Sequence, residues 1–251
     1  MKATTIDDVL SILTGIIADT TSRRDPLGYF AALYRQVTLE VKNGIVAGSF
    51  DDGPRMSGFD ASFANRYFAA YEAYTSGGTP TRSWQFAFDR VRTGKLIILQ
   101  NLLLGINAHV NLDLGVVTGT KFRGSALSGF HSDFDHLNEI LASLIPRIRA
   151  VIEQFSPRIG ELTELADDAP ELALRFSVEA ARDDAWRTAT LLSVTPSTFV
   201  APAVELIDGK AKLIGRVVAD QPEPVASIVR HIRAAESTDV AAIITALDSV
   251  V

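Results

Sequence analysis

Apolar residues recur at helical spacing along most of the chain, and no segment shows a convincing strand-like alternation of apolar and polar positions. Apolar side chains at positions i, i+3, i+4 and i+7 predict helices that pack on one another. The predicted helices cover residues 6–18, 27–46, 58–74, 83–92, 96–117, 133–154, 170–192, 203–218, 225–235 and 240–250. We therefore expect one all-α domain over residues 1–251, built as a multi-helix bundle.

One segment of this pattern fits two structures. An Asp208-Gly209 pair stands between two apolar runs in the sequence VELIDGKAKLI. Asp-Gly is a dipeptide that favours tight two-residue turns between strands. The helical period predicts a helix over residues 203–218, and a small hairpin near residues 200–218 is the alternative.

The longest apolar segment, residues 96–117, is predicted to be the central helix of the bundle. At about 100° per residue, His109 and Asp113 share one face of it. The opposite face carries three amides, Gln100, Asn107 and Asn111. The segment is long enough to cross a membrane, but these polar side chains would be costly in lipid. We therefore expect a core helix with neighbours on all sides.

His109 and Asp113 are the first candidates for chemistry. Their i, i+4 spacing lets both side chains reach one point, as a metal-ligand pair or a histidine oriented by a carboxylate requires. Asp133 is the third candidate, because the apolar face of helix 133–154 turns it inward. The pattern predicts His109, Asp113 and Asp133 as catalytic residues and as ligands of a divalent metal ion. Alternatively, His109 and Asp113 only satisfy each other in the core.

Four further residues are predicted to bind a substrate: Arg66, Tyr67, Asn107 and Asn111. Arg66 falls on an aromatic stripe, where a guanidinium needs Asp113, Asp133 or a bound anion as its partner, or else reaches past the rings to solvent. The two amides carry donors and acceptors for a ligand's carbonyl or hydroxyl, or else tie the central helix to a neighbouring backbone.

Charge and cysteine content exclude several classes of function. The net charge is -6 and the basic residues are scattered, which argues against a nucleic-acid partner. The sequence has no cysteine, so disulfides, thiolate metal sites and a cysteine nucleophile are excluded. The N-terminal segment does not have the pattern of a secretory signal. We expect a cytoplasmic protein whose partner is a small molecule and not a membrane.

Several short motifs resemble a known bacterial family. They are ASFANRYFAAY at 61–71, W-x-x-AF at 84–88, LLLGINAHVNLDLG at 102–115 and the DF pair at 133–134. In their order they are similar to a family catalogued as a domain of unknown function, over about two thirds of the chain. The resemblance implies that six residues belong to the family pattern: Arg66, Tyr67, His109, Asn111, Asp113 and Asp133. It implies no activity.

These observations favour an enzyme that acts on small molecules at a buried His/Asp site. The metal ion would activate water for hydrolysis, or the side chains would transfer protons in a cyclisation or isomerisation. One alternative is a binding module for an apolar ligand without turnover. Another is a structural protein whose buried polar network makes the core specific.

Overall fold

The computed structural model describes residues 1–162 and 178–250, and this part of the chain is all-helical and contains no strand. The helices are α1 (Ile6–Arg23), α2 (Gly28–Ala47), α3 (Gly53–Thr75), α4 (Arg82–Arg92), α5 (Ile98–Lys121), α6 (Ser125–Ser128), α7 (His131–Phe155), α8 (Val178–Val194), α9 (Ser197–Ala219), α10 (Val225–Ala235) and α11 (Val240–Leu247). The all-α prediction is confirmed. Of the helix predicted at 170–192, residues 170–177 lie outside the described residues.

Local sequence signals set several helix ends. The Thr5 side chain accepts a hydrogen bond from the backbone N–H of Asp8, and the Asp8 carboxylate accepts one from Thr5 in return. This reciprocal capping box satisfies donors that a helix start leaves free. At the other end of a helix, Gly48 follows α2 with φ 71°, a left-handed conformation that glycine adopts without strain.

Helix α5 occupies the centre of the bundle. It contacts α2, α3 and α4 on one side and α8 and α9 on the other. An 18-residue window of it is long and apolar enough to cross a membrane by composition, yet 89% of that window is buried against the rest of the chain. The prediction of a long central helix is confirmed, with bounds shifted from 96–117 to Ile98–Lys121.

Two glycines let α8 lie directly against the second half of α5. A Cβ atom at Gly115 would be 2.8 Å from the carbonyl oxygen of Ala185, and one at Gly119 would be 2.5 Å from that of Ala189. Both distances are too short for real contacts, so any larger side chain would force the helices apart. Glycine on α5 and alanine on α8 therefore fix this side of the central helix.

The hairpin alternative near residues 200–218 is wrong, because the Asp-Gly pair lies inside α9. The Asp208 carboxylate is buried and accepts hydrogen bonds from the backbone N–H of Arg82 at 2.7 Å and of Ser83 at 2.9 Å, and from the Ser83 hydroxyl at 2.7 Å. It thus caps the first turn of α4 from another helix. This tertiary contact outweighs the local preference of Asp-Gly for a turn.

Candidate functional site

The central helix changes its geometry where its polar residues are concentrated. His109–Leu114 form a π-helical segment within α5, and all six of its residues are buried. In such a segment hydrogen bonds run from i to i+5, and π-helical turns inside α-helices are frequent at functional sites. The segment contains both His109 and Asp113, so the predicted pair lies where the backbone departs from regular α-helix.

His109 and Asp113 contact each other as their spacing predicts. His109 Nδ1 lies 3.2 Å from Asp113 Oδ2, which also accepts from Trp84 Nε1 at 2.8 Å, while Oδ1 accepts from Arg66 Nε at 2.9 Å. Arg66 and Trp84 can only donate, so Asp113 is held as an acceptor. His109 then donates through Nδ1–H. Its other nitrogen, Nε2, keeps its lone pair.

Aromatic side chains enclose the His109 ring. Phe63 stacks on it with ring centroids 3.7 Å apart and planes at 9°, and Tyr34 meets it edge-on at 4.6 Å. Burial lowers the pKa of His109, and the hydrogen bond and charge of Asp113 oppose this only in part. The imidazole is therefore neutral near pH 7. Nε2 is buried and has no hydrogen-bond partner among the described residues.

A cavity of about 990 Å³, which we call the apolar cavity, lies beside His109 and is lined mainly by residues of α2, α3, α5 and α7. One stripe of α5 faces it, made of Leu99, Leu103, Ile106 and Val110. The expectation that α5 has packed neighbours on all sides is corrected here, because this face meets the cavity. Protein interiors contain few voids larger than a water molecule, and this volume is typical of a small-molecule site.

Two polar residues on the cavity wall, Asp60 and Tyr34, were not predicted from the sequence. Asp60 is 4% exposed, its Oδ2 has no partner in the part of the chain that the structure describes, and burial raises its pKa to about 7. The Tyr34 hydroxyl is likewise buried without a described partner. Its pKa is raised well above 10, first by burial and then by the charges of Asp60 and Asp113.

Asp60, Tyr34 and His109 all line the apolar cavity, and we call the part of the wall that they form the polar corner. Asp60 lies one turn before Phe63 on α3, and Phe63 is the ring that stacks on His109. Tyr34 contacts His109 from α2 and is near enough to Asp60 for that charge to affect its pKa. Three helices thus each contribute one polar group to a wall that is otherwise mainly apolar.

The sequence contained a signal for Asp60 but none for Tyr34. Asp60 stands four residues from Met56 and from Ala64, and both of these are fully buried. A carboxylate on such an apolar stripe is the exception that indicates a special role. Tyr34 belongs to an aromatic stripe of α2 that the sequence alone does not distinguish from ordinary core.

Asp133 does not join His109 and Asp113, and the shared metal site predicted for these three residues is corrected. Asp133 is buried, but its Oδ1 accepts from the backbone N–H of Asp51 at 2.7 Å and its Oδ2 from Arg55 at 2.6 Å. These bonds connect α7 to Asp51, which lies between α2 and α3, and to Arg55 in the first turn of α3. Within residues 1–162 and 178–250, no three His, Asp or Glu side chains are grouped to hold a metal ion.

Two of the predicted substrate-binding residues, Arg66 and Tyr67, contact the residues around His109 and Asp113 without lining the described apolar cavity. The side chain of Arg66 is 31% exposed and pairs with Asp113, which is one of the partners that its position predicted. Tyr67 is fully buried and meets Phe30 edge-on at 5.1 Å. Neither residue lines the apolar cavity as the structure describes it. Arg66 holds Asp113, and Tyr67 fills the aromatic layer behind His109.

The other two predicted substrate-binding residues, Asn107 and Asn111, connect helices instead. Asn107 Nδ2 donates to the carbonyl oxygen of Ala211 on α9 at 2.8 Å, and Asn111 Nδ2 donates to Asn107 Oδ1 at 3.0 Å. Neither side chain is among the described residues that line the apolar cavity. These amides bond each other and the α9 backbone, as the alternative to substrate binding expects, and substrate binding by them stays a prediction.

The comparisons with known proteins give a family and no activity. No curated protein and no solved structure matches the chain. The model of one family matches residues 6–221, a range that includes the π-helical segment and every residue of the polar corner. On this match the chain belongs to the family of unknown function DUF5995.

Proposed function

We propose that this protein is an enzyme that transfers a proton on a small, mainly apolar molecule bound in the apolar cavity. The observation that carries the proposal is His109, which lines that cavity and whose Nε2 is buried without a described partner. A neutral imidazole whose Nδ1–H is held by a carboxylate is the arrangement of an oriented general base. Asp113 would stabilise the imidazolium that forms.

Asp60 is the proposed acid. Its raised pKa of about 7 keeps a large fraction of the carboxyl protonated near neutral pH, while the lowered pKa of His109 keeps the imidazole unprotonated. Environments that move two titratable groups in these directions favour paired acid and base roles. His109 would take a proton from a carbon next to a carbonyl, and the C–H electron pair would form the C=C bond. The π electrons of the C=O bond would move to its oxygen, which Asp60 would protonate.

A second function, binding without turnover, is favoured by the size of the cavity. A volume of about 990 Å³ is at the upper end of small-molecule sites, and a carrier needs no base. The two functions differ in whether His109 accelerates a reaction, so a rate measurement separates them.

The test uses 5-nitrobenzisoxazole, a small apolar compound that opens when a base removes its ring C–H proton. The C–H electrons form a nitrile, the N–O bond breaks, and a coloured phenolate is released. We expect the purified protein to accelerate this reaction. In His109→Gln the rate should be lower by at least about 100-fold, which is the usual contribution of a positioned base. Glutamine keeps a donor for Asp113, and melting curves check that the variant folds.

His131 provides a matched control. It forms the same i, i+4 pair with Asp135 at 3.1 Å, but its side chain is 51% exposed and does not line the apolar cavity. His131→Gln should accelerate the opening of 5-nitrobenzisoxazole as much as the wild type does. Equal rates for the two histidine variants and the wild type would refute the proposed base, and binding of apolar compounds without any acceleration would favour the carrier.

A further inference from the structure

The polar corner also indicates what the bound molecule carries. Resting on the proposed role of the cavity, we infer that the ligand is an uncharged, mainly hydrocarbon molecule with one hydroxyl or carbonyl group that lies against Asp60, Tyr34 and His109. Each of these three residues lines the apolar cavity and has a buried polar atom without a described partner. The inference depends on that juxtaposition.

Unpartnered polar atoms indicate where the ligand's own polar group lies. A buried donor or acceptor without a hydrogen bond is unfavourable, so native structures rarely retain one without a functional reason. Here three such atoms, Asp60 Oδ2, Tyr34 Oη and His109 Nε2, come from α3, α2 and α5. The rest of the described wall is mainly apolar, as in the stripe of α5 that contains Leu103 and Ile106. Its other polar residues are Gln100, Asn138, Glu139, Arg149, Glu153, Arg182 and Gln221.

The donors and acceptors of the corner match a neutral oxygen. A protonated Asp60 and the Tyr34 hydroxyl can both donate to the oxygen of an alcohol, an aldehyde or a ketone. His109 Nε2 can accept from a hydroxyl, or can take a proton from the carbon next to a carbonyl. One oxygen at this position therefore satisfies two or three atoms that have no partner among the described residues.

Charge argues against an anionic ligand. Arg66 donates to Asp113 and does not line the described cavity. Two other arginines do line it: Arg149 pairs with Glu153, and Arg182 donates to the carbonyl oxygen of Asn138. A carboxylate or phosphate in the polar corner would face the carboxyl group of Asp60 and would lose its hydration. An ammonium group would require Asp60 to ionise inside an apolar wall, which burial opposes.

The test compares compounds of one chain length that differ only in the end group. Dodecanol, dodecane, laurate and dodecylamine displace the fluorescent probe N-phenyl-1-naphthylamine from the full chain near neutral pH. We expect dodecanol to bind about tenfold more tightly than dodecane, as one or two net hydrogen bonds provide. Laurate and dodecylamine should bind more weakly than dodecanol.

Two variants assign the preference to the polar corner. In Tyr34→Phe and in Asp60→Leu, the advantage of dodecanol over dodecane, measured on the same variant, should fall below about threefold. Tyr29→Phe is the control, because Tyr29 is a buried tyrosine on the same helix that does not line the apolar cavity. It should keep the full preference.

The outcomes separate this inference from the proposed function. Equal binding of dodecanol and dodecane, or tighter binding of laurate or dodecylamine, overturns the ligand class while a His109-dependent rate still supports proton transfer. If dodecanol is preferred in a way that depends on Tyr34, but the protein does not accelerate 5-nitrobenzisoxazole opening, the ligand class is supported and the catalytic role of His109 is overturned. Failure of the probe and of all four compounds to bind overturns both.

Discussion

Replacing Asp60 with asparagine should make the protein more stable at neutral and alkaline pH. Asp60 is almost completely buried, and its pKa rises from 3.8 to about 7 because burial opposes its charge. At about pH 8 the folded protein must contain an ionised carboxylate among apolar side chains. A shift of this size corresponds to roughly 3–5 kcal/mol of lost stability, at about 1.4 kcal/mol per pKa unit. The amide has nearly the same shape and no charge.

The pH range of the effect follows from the two pKa values. The folded protein binds the proton of Asp60 more tightly than the unfolded chain does, so this contribution to stability is fully present below about pH 4 and is lost as the pH rises through about 7. Asp60→Asn and wild type should therefore be equally stable near pH 4 and should differ by the full amount near pH 8. The lowered pKa of His109 reduces stability below pH 6.5 in both proteins, so it cancels in the difference.

Urea unfolding followed by circular dichroism measures the difference at each pH. Asp208→Asn is the control, because Asp208 is equally buried but accepts three hydrogen bonds from the start of α4. An amide can accept through only one of its two end atoms, so this variant should lose stability at about pH 8. If Asp60→Asn is also less stable than wild type at that pH, then Asp60 has a partner in the folded state and the reasoning about the polar corner is wrong.

Three other predictions follow from the site. The 5-nitrobenzisoxazole rate should decline as the pH rises above about 7, where Asp60 loses its proton, and a rate that increases there would show that Asp60 acts as a base. Arg66→Leu should lower the free energy of unfolding by roughly 1–3 kcal/mol, which is less than for a fully buried pair because Arg66 is 31% exposed beside Asp113. Asn107→Leu should lower the free energy of unfolding by about 1–3 kcal/mol, because an α9 carbonyl loses its hydrogen bond, and should leave dodecanol binding unchanged. Weaker dodecanol binding would show that Asn107 contributes to the binding site.

The fold and the central pair were predictable because they depend on short-range periodicity. Apolar spacing predicted the helices, and a spacing of four residues on one helix brought His109 and Asp113 together. The polar interruption of an otherwise apolar segment correctly identified α5 as central. The π-helical turn was not predicted, because its i to i+5 hydrogen bonds leave no separate pattern of apolar residues.

Most partners that are distant in sequence could not be predicted. Arg66 is the exception, because a guanidinium on an aromatic stripe requires an acidic partner, and Asp113 was one of the two named. Asp133 was correctly expected to turn inward, but its partners are 78 and 82 residues away, at Arg55 and Asp51. In the same way, Asp208 caps a helix 125 residues earlier, which decided between helix and hairpin. A cavity is a property of the assembled bundle. Periodicity therefore gave the buried faces, while the assembled fold determines which face meets a neighbour and which meets the cavity.

The central claim is that His109 acts on a molecule inside the apolar cavity, and competition tests it most directly. The rate of 5-nitrobenzisoxazole opening is measured with increasing dodecanol, and the dissociation constant of dodecanol is measured separately by probe displacement. We predict that the rate falls to the level of His109→Gln with an inhibition constant equal to that dissociation constant. A rate that does not change while dodecanol fills its site would place the reaction elsewhere and contradict the claim.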